Sequence, residues 1–265
     1  MTRLLHLSDV HFGAVDHRLV QPLLALAHKL QPDVTVISGD LTQRAQPDQF
    51  AAARAFIDQL PGPVLSVPGN HDAPLWNLPV RLVAPFARYR RAIGRELEPL
   101  VSLPGAVLQG INTANPLVWK AGHLTDASAG RLDTAFANSP AQAMRIAVMH
   151  HAPVPASDGT PADLAAPAAA LAALARAGTD IVLSGHTHMP HAGFAETAAG
   201  VLFLQVGTTI STRLKTRTND FALIELGSGS VTRHDWLSHG GGPFLPSAPQ
   251  RFLKTADGWR RLAES

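Results

Sequence analysis

Val64-Leu65-Ser66-Val67-Pro68-Gly69-Asn70-His71-Asp72 is the stretch from which the rest of this chain can be read. Its apolar, β-branched start has the character of a buried strand. Asn70 and His71 therefore fall on the loop at that strand's carboxyl end, where open α/β sheets hold their ligands. Asn offers a neutral oxygen to a cation, and His offers a metal ligand or a proton shuttle.

Upstream, the same arrangement occurs twice more. Residues 4–8 read as a buried strand that delivers Asp9-Val10-His11 to its carboxyl end. A helix follows with Leu19, Leu23, Leu26 and Leu30 at helical spacing, its regular part expected to begin at Pro22. Gln31-Pro32-Asp33 breaks it, and the strand over 34–38 ends in Gly39-Asp40. Pro47 opens a second helix carrying Phe50, Ala53, Ile57 and Leu60, and Pro61-Gly62-Pro63 turns the chain into the strand before Asn70. This is a βαβαβ unit, for which a parallel sheet with right-handed crossovers is expected.

Downstream, residues 74–97 form an insert with a helical stripe of Leu82, Phe86, Tyr89 and Ile93. Arg81, Arg88 and Arg95 line another face, either as a solvated surface or as a cap that draws in an anionic substrate. Residues 101–111 read as strand, with Pro104-Gly105 as a hairpin turn, and 124–137 as helix. The strand over 145–149 ends in His150-His151. Asp163 is expected to cap an Ala-rich helix running to Ala177, with Gly178 as its stop. A short strand over 181–184 ends in Gly185-His186-Thr187-His188. Strands over 201–206, 221–226 and 231–236, with no helix between them, predict an antiparallel sheet. One domain over 1–238 is expected, and the Gly- and Pro-rich remainder, 239–265, reads as a surface tail ending in a short helix.

The 265 residues suffice for one large core, and 46% of them are hydrophobic. With 22 Lys plus Arg against 20 Asp plus Glu, the net charge of +2 predicts no nucleic-acid partner. No cysteine is present, which excludes disulfides and thiolate metal sites. No leader and no membrane-spanning run is read in the chain, so a cytoplasmic location is expected. The oligomeric state is left open, a homodimer included.

Taken singly, each polar residue after a strand could be a cap, a turn residue or a structural histidine. Asp9, His11, Asp40, Asn70, His150, His186 and His188 together at the strand ends of one sheet system point instead to metal. Imidazole and carboxylate without thiolate suit Zn, Fe, Mn or Ni rather than Ca or Cu(I). Seven ligands exceed the needs of one tetrahedral ion and suffice for two, an arrangement that clamps the attacking and leaving oxygens of a displacement at phosphorus.

The series Asp9-Val10-His11, Gly39-Asp40, Gly69-Asn70-His71-Asp72, His150-His151 and Gly185-His186-Thr187-His188 resembles the motifs of the calcineurin-like metallophosphoesterases. The opening Leu7-Ser8-Asp9-Val10-His11 and the Gly-Asn-His-Asp form look most like the bacterial class III cyclic nucleotide phosphodiesterase branch. The resemblance implies an α/β fold, a four-layer αββα sandwich of two mixed β-sheets flanked by helices. It implies one ion on Asp9, His11, Asp40 and His188, and a second on Asp40, Asn70, His150 and His186, with Asp40 bridging. His71 is implied to act on the substrate phosphate and Asp72 to orient it. The implied reaction is hydrolysis of a small phosphodiester, such as a cyclic nucleotide, by a metal-bound hydroxide. Ser211-Thr212-Arg213 is a candidate phosphate contact or a surface turn, with Arg213 the residue of interest. A phosphomonoesterase, a protein phosphatase, a DNA nuclease and a non-catalytic scaffold are the rival readings.

Overall fold

The computed structural model describes residues 1–263. Successive side chains of a strand point to opposite faces, and in this chain both faces of the central strands are apolar. Along Thr2–Leu7, Leu4 points one way and Leu5 and Leu7 the other, all fully buried. Met144–Met149 repeats the pattern, with Ile146 and Val148 on one face and Ala147 and Met149 on the other. A strand buried on both faces needs a layer on each side.

Those layers are two sheets and two sets of helices. The first sheet runs in the order Gly258–Arg261, Gln250–Thr255, Ser230–His239, Thr218–Gly227, Thr2–Leu7, Val34–Ile37, Val64–Ser66. The second runs His191–Phe194, Leu202–Gln205, Ile181–Ser184, Met144–Met149, Ala106–Ile111, Leu100–Leu103. Leu4, Val36 and Ile224 of the first sheet meet Ile146, Leu183 and Leu204 of the second in a shared core. The outer face of the first sheet is covered by the helices His17–Leu30 and Pro47–Ile57. That of the second is covered by Asp126–Ala137 and Pro167–Arg176. This is the αββα sandwich that the sequence leads one to expect.

The three strands of the first third pair in parallel, Leu4 opposite Val34 and Thr35 opposite Val64. Met144–Met149 and Ile181–Ser184 are likewise parallel. The carboxyl ends of both parallel sets open on one edge of the sandwich. That edge carries the site.

Several local expectations need correction. The first helix begins at His17, capped by the Asp16 carboxylate on the Arg18 N–H at 3.1 Å, and Pro22 lies inside it on the exposed face. There the missing N–H removes a single helical bond, that to the Arg18 carbonyl. The insert 74–97 is two short helices, Leu78–Val83 and Ala87–Ala92, so its three arginines share no face. Leu202–Gln205 belongs to the second sheet and runs parallel to Ile181–Ser184, while Thr218–Gly227 and Ser230–His239 form the antiparallel hairpin in the first. Pro167–Arg176 starts after Ala166, and Asp163 is not its cap. The segment read as a surface tail ending in a helix contains Leu245–Pro246, Gln250–Thr255 and Gly258–Arg261, all paired into the first sheet, with Phe252 and Trp259 buried. Glu264 and Ser265 lie outside the described residues.

Candidate metal centre

Among the described residues, five of the eight non-glycine residues with positive φ are Asp9, His11, Asp40, His186 and His188. Left-handed backbone at a side chain other than glycine is strained, and such strain collects where a site demands a particular side-chain direction. Glycine completes the close fit. A Cβ on Gly39, itself at φ +105°, would stand 2.5 Å from Nδ1 of His150, and one on Gly69 would collide with the Asp40 carboxylate.

Each candidate carboxylate is anchored by one oxygen and free at the other. Asp9 Oδ2 accepts from Ser8 Oγ at 2.6 Å and from the His186 N–H at 2.9 Å. Its Oδ1 is buried without a hydrogen bond, 3.1 Å from His188 Nε2 and 3.7 Å from His11 Nε2. Asp40 Oδ1 accepts from the His71 N–H at 2.9 Å, which leaves Oδ2 3.3 Å from His150 Nε2 and 3.8 Å from His11 Nε2.

The imidazoles follow the same rule, one nitrogen tethered and one turned inward. His150 Nδ1 is held by the Ser38 carbonyl at 2.8 Å, and its buried Nε2 has no hydrogen-bond partner. His188 Nδ1 is held by the Arg213 carbonyl at 2.5 Å. His188 Nε2 faces His11 Nε2 at 3.1 Å, two nitrogens aimed at one point. His186 is tethered at Nε2 by Asp163 at 3.0 Å, which leaves Nδ1. Asn70 Oδ1 is also buried and unpartnered. His151, the next residue along the chain, has both nitrogens occupied, by Thr113 Oγ1 at 2.9 Å and the Lys120 carbonyl at 2.8 Å.

Charge balance sharpens the picture. Asp9 and Asp40 are buried, and among the described residues no Lys or Arg lies within 4 Å of either. Burial opposes their ionisation, yet His188 and His150 hold Asp9 well below the ordinary carboxyl range, and His150 and His71 do the same to Asp40. Burial likewise disfavours the charged form of His150, but Asp40 and Asp9 raise it to about 9. The pocket is built to hold positive charge between two carboxylates, and buried anions are tolerated only with such compensation. Neutral nitrogens, amide oxygen and carboxylates fit borderline transition-metal cations.

His71 lies at the rim of this cluster, its ring edge to face with that of His11 at 5.0 Å. Its Nδ1 bonds the Gln43 carbonyl at 2.9 Å, and Nε2 accepts from the Arg213 guanidinium at 2.9 Å. Asp72 does not orient that ring. Its Oδ1 accepts from the Thr42 N–H and Oγ1, both at 2.9 Å, and its Oδ2 from the N–H groups of Leu41 and Gly69 at 3.1 and 3.0 Å. The three bonds from Leu41 and Thr42 clamp the loop of Asn70 to the loop of Asp40 and the fourth closes the Asn70 loop on Gly69, so Asp72 fixes two candidate ligands relative to one another rather than the tilt of His71. Of Ser211-Thr212-Arg213, the two hydroxyls bond the Ala14 carbonyl and only Arg213 reaches the cleft.

Three residues with roles here were not singled out for them by the sequence. Asp163 tethers His186 and is held by Lys120 Nζ at 2.5 Å; with His186 first and Lys120 beside it, its carboxyl lies well below the usual range. Arg81 is buried and spends its guanidinium on the carbonyls of Pro116, Val118 and Pro74 at 2.6, 2.6 and 3.1 Å. It thereby fixes the loop that carries Trp119 and Lys120 to the wall of a cleft of about 590 Å³ above the ligands.

The model of the calcineurin-like phosphoesterase family matches residues 2–190. The chain belongs to this family. Its sequence is 31% identical to a cAMP/cGMP dual specificity phosphodiesterase, MT0825, of Mycobacterium tuberculosis, over 70% of this chain and 61% of that protein. It is 34% identical to the glycerophosphodiester phosphodiesterase GpdQ of Enterobacter lignolyticus over 26% of this chain and 29% of that one. The match thus spans less than two thirds of either relative. Among solved structures, the purple acid phosphatase PPD1 of yellow lupin superposes with a TM-score of 0.66 at 13% identity, over 91% of this chain and 52% of that one. Vacuolar Protein Sorting 29 of Cryptosporidium parvum gives 0.55 at 15%, over 96% and 98%. Both are likenesses of fold.

Proposed function

We propose that this calcineurin-like phosphoesterase is a two-metal phosphodiesterase that hydrolyses a small phosphodiester, a cyclic nucleotide among the candidates. The observation that carries the reading is the set of buried, unpartnered ligand atoms, Asp9 Oδ1, Asn70 Oδ1 and His150 Nε2, within one constellation of strand-end residues. Orphaned buried polar atoms are costly, and a bound cation removes the cost. Asp9, His11, Asp40 and His188 would hold one ion, and Asp40, Asn70, His150 and His186 the other, with Mn, Fe or Zn suited to the donors. Two such ions supply an acidified water and neutralise charge at phosphorus.

The remaining work falls to the chain's own side chains. Arg213 donates to His71 Nε2 and has no carboxylate partner among the described residues, so an arriving phosphate would compete for its guanidinium. That exchange frees the Nε2 lone pair of His71 to take a proton from solvent and pass it to the leaving oxygen, while the Gln43 carbonyl, accepting from Nδ1, keeps the ring in place. The cleft wall of Leu75, Trp119 and Leu214 gives the organic arm of a diester an apolar surface. The two phosphodiesterase relatives support the choice of a diester.

The test compares bis(p-nitrophenyl) phosphate with p-nitrophenyl phosphate on metal-stripped protein to which Mn²⁺ is returned. Metal-dependent preference for the diester is expected. Preference for the monoester would replace this reading with a phosphomonoesterase.

A further inference from the structure

The cleft does not end at the metal ligands. Past Arg44 and Leu75 it continues into a second cavity of about 410 Å³, lined by Trp76 and Arg88 and sharing Arg44 and Leu75 with the first. Trp119 on the wall of the first cavity and Trp76 on that of the second meet edge to face, their ring centroids 5.6 Å apart. Two indoles thus form a continuous flank from the site to the distal cavity.

The charges along this path exceed what one diester requires. Arg44, Arg213 and Lys215 line the first cavity, and Arg44 and Arg88 the second. Among the described residues, none of these four has a carboxylate within 4 Å. Arg88 is held in place by a neutral group, Nη1 donating to the Ala45 carbonyl at 2.8 Å, and Arg44 Nη1 donates to the Gln43 carbonyl at 3.1 Å. A phosphodiester carries one negative charge, and the ligand cluster beside Arg213 is placed to meet it. Arg44 and Arg88 are then left over, facing a cavity with no anion of the chain's own. Unpaired guanidinium groups beside an aromatic wall suit a phosphate on an organic arm.

We propose that the distal cavity is a subsite for a second phosphate group, and that the preferred substrate is a phosphodiester whose organic arm bears one. The inference rests on the phosphodiesterase reading for its first phosphate. Arg44 and Arg88 bind the second, and Trp119 and Trp76 flank the arm between them. Arg88 touches none of the metal ligands, so its role is specificity alone.

The test uses two chromogenic diesters that differ by one group: the p-nitrophenyl ester of thymidine 5′-phosphate, and the same compound with an added 3′-phosphate. Arg88→Gln keeps a donor for the Ala45 carbonyl while removing the charge, so the fold is spared. It should raise KM for the 3′-phosphorylated ester about tenfold, leave the other ester within about twofold, and leave kcat unchanged for both. Equal effects on the two esters, or none on either, would overturn the subsite. A second measurement is independent of turnover: calorimetric binding of thymidine 3′,5′-diphosphate and thymidine 5′-phosphate to the metal-stripped protein. Wild type should prefer the diphosphate and Arg88→Gln should lose that preference. If neither ester is hydrolysed but the binding preference is present, the phosphodiesterase reading fails and the subsite stands. If turnover is normal and the preference absent, the subsite fails alone.

Discussion

Asp40 Oδ2 lies 3.3 Å from Nε2 of His150, and so joins a candidate ligand carried by the first sheet to one carried by the second. The contact spans the interface between the sheets. It would let one carboxylate serve both halves of the candidate site, its other oxygen being fixed by the His71 N–H. Asp40 has φ +51°, a region that Asn also tolerates, so Asp40→Asn preserves the loop while removing the charge. Metal content should fall and diesterase activity should drop at least about a hundredfold. Full activity and full metal content in this variant would remove Asp40 from the bridging role.

His71→Ala separates substrate chemistry from metal binding. The ring's nitrogens bond Gln43, Arg44 and Arg213 and no candidate ligand's side chain, and its contact with the cluster is edge to face with the His11 ring at 5.0 Å. Metal content should match wild type while kcat falls by about two to four orders of magnitude, the range for loss of a proton-transferring group. Loss of metal would instead make His71 a ligand.

Asp163→Asn probes a tether. His186 is free to present Nδ1 because Asp163 occupies Nε2. Replacing a carboxylate that orients a ligating histidine costs about ten- to a hundredfold in metal affinity. Metal titration of the variant should show this loss at one ion and leave the other unchanged. An unaltered titration would reduce Asp163 to a partner of Lys120.

Stability should carry a pH signature from Asp220, whose fully buried carboxyl is pushed from 3.8 up to about 7 by burial. Oδ1 accepts from the Gly207 N–H at 2.7 Å, and Oδ2 is buried without a partner. Between these two values the folded chain keeps a proton that the unfolded chain has lost. Raising pH from about 4 to 7 therefore favours unfolding through this group. In urea unfolding of metal-stripped protein, Asp220→Asn should lose less stability than wild type over that interval. Parallel curves would contradict the assignment.

The candidate site was legible because its donor residues announce themselves locally. A short buried strand followed by Asp, Asn or His can be recognised from neighbouring residues, and parallel strands place all such ends on one edge. What escaped was set by partners distant in sequence. Asp163 has the look of a helix cap, and only the fold places it against His186 and Lys120. Asp72 adjoins His71 in the chain, yet its bonds run to residues 41, 42 and 69. Leu202–Gln205 reads as strand from its composition, but which sheet it enters depends on Ile181–Ser184. The strands after residue 244 are short and half-covered, which weakens their alternation. Arg81 and Arg88 fall at heptad spacing, yet the break between the two short helices sends one to the carbonyls of the 116–118 loop and the other to that of Ala45.

The central claim is that this one edge of the sandwich holds two ions. Its most direct test is the manganese content of metal-stripped protein after equilibrium dialysis against Mn²⁺, read by elemental analysis. Two ions bound per chain, falling on Asp40→Asn, is the predicted result. A single ion per chain, or two that are indifferent to Asp40, would contradict it.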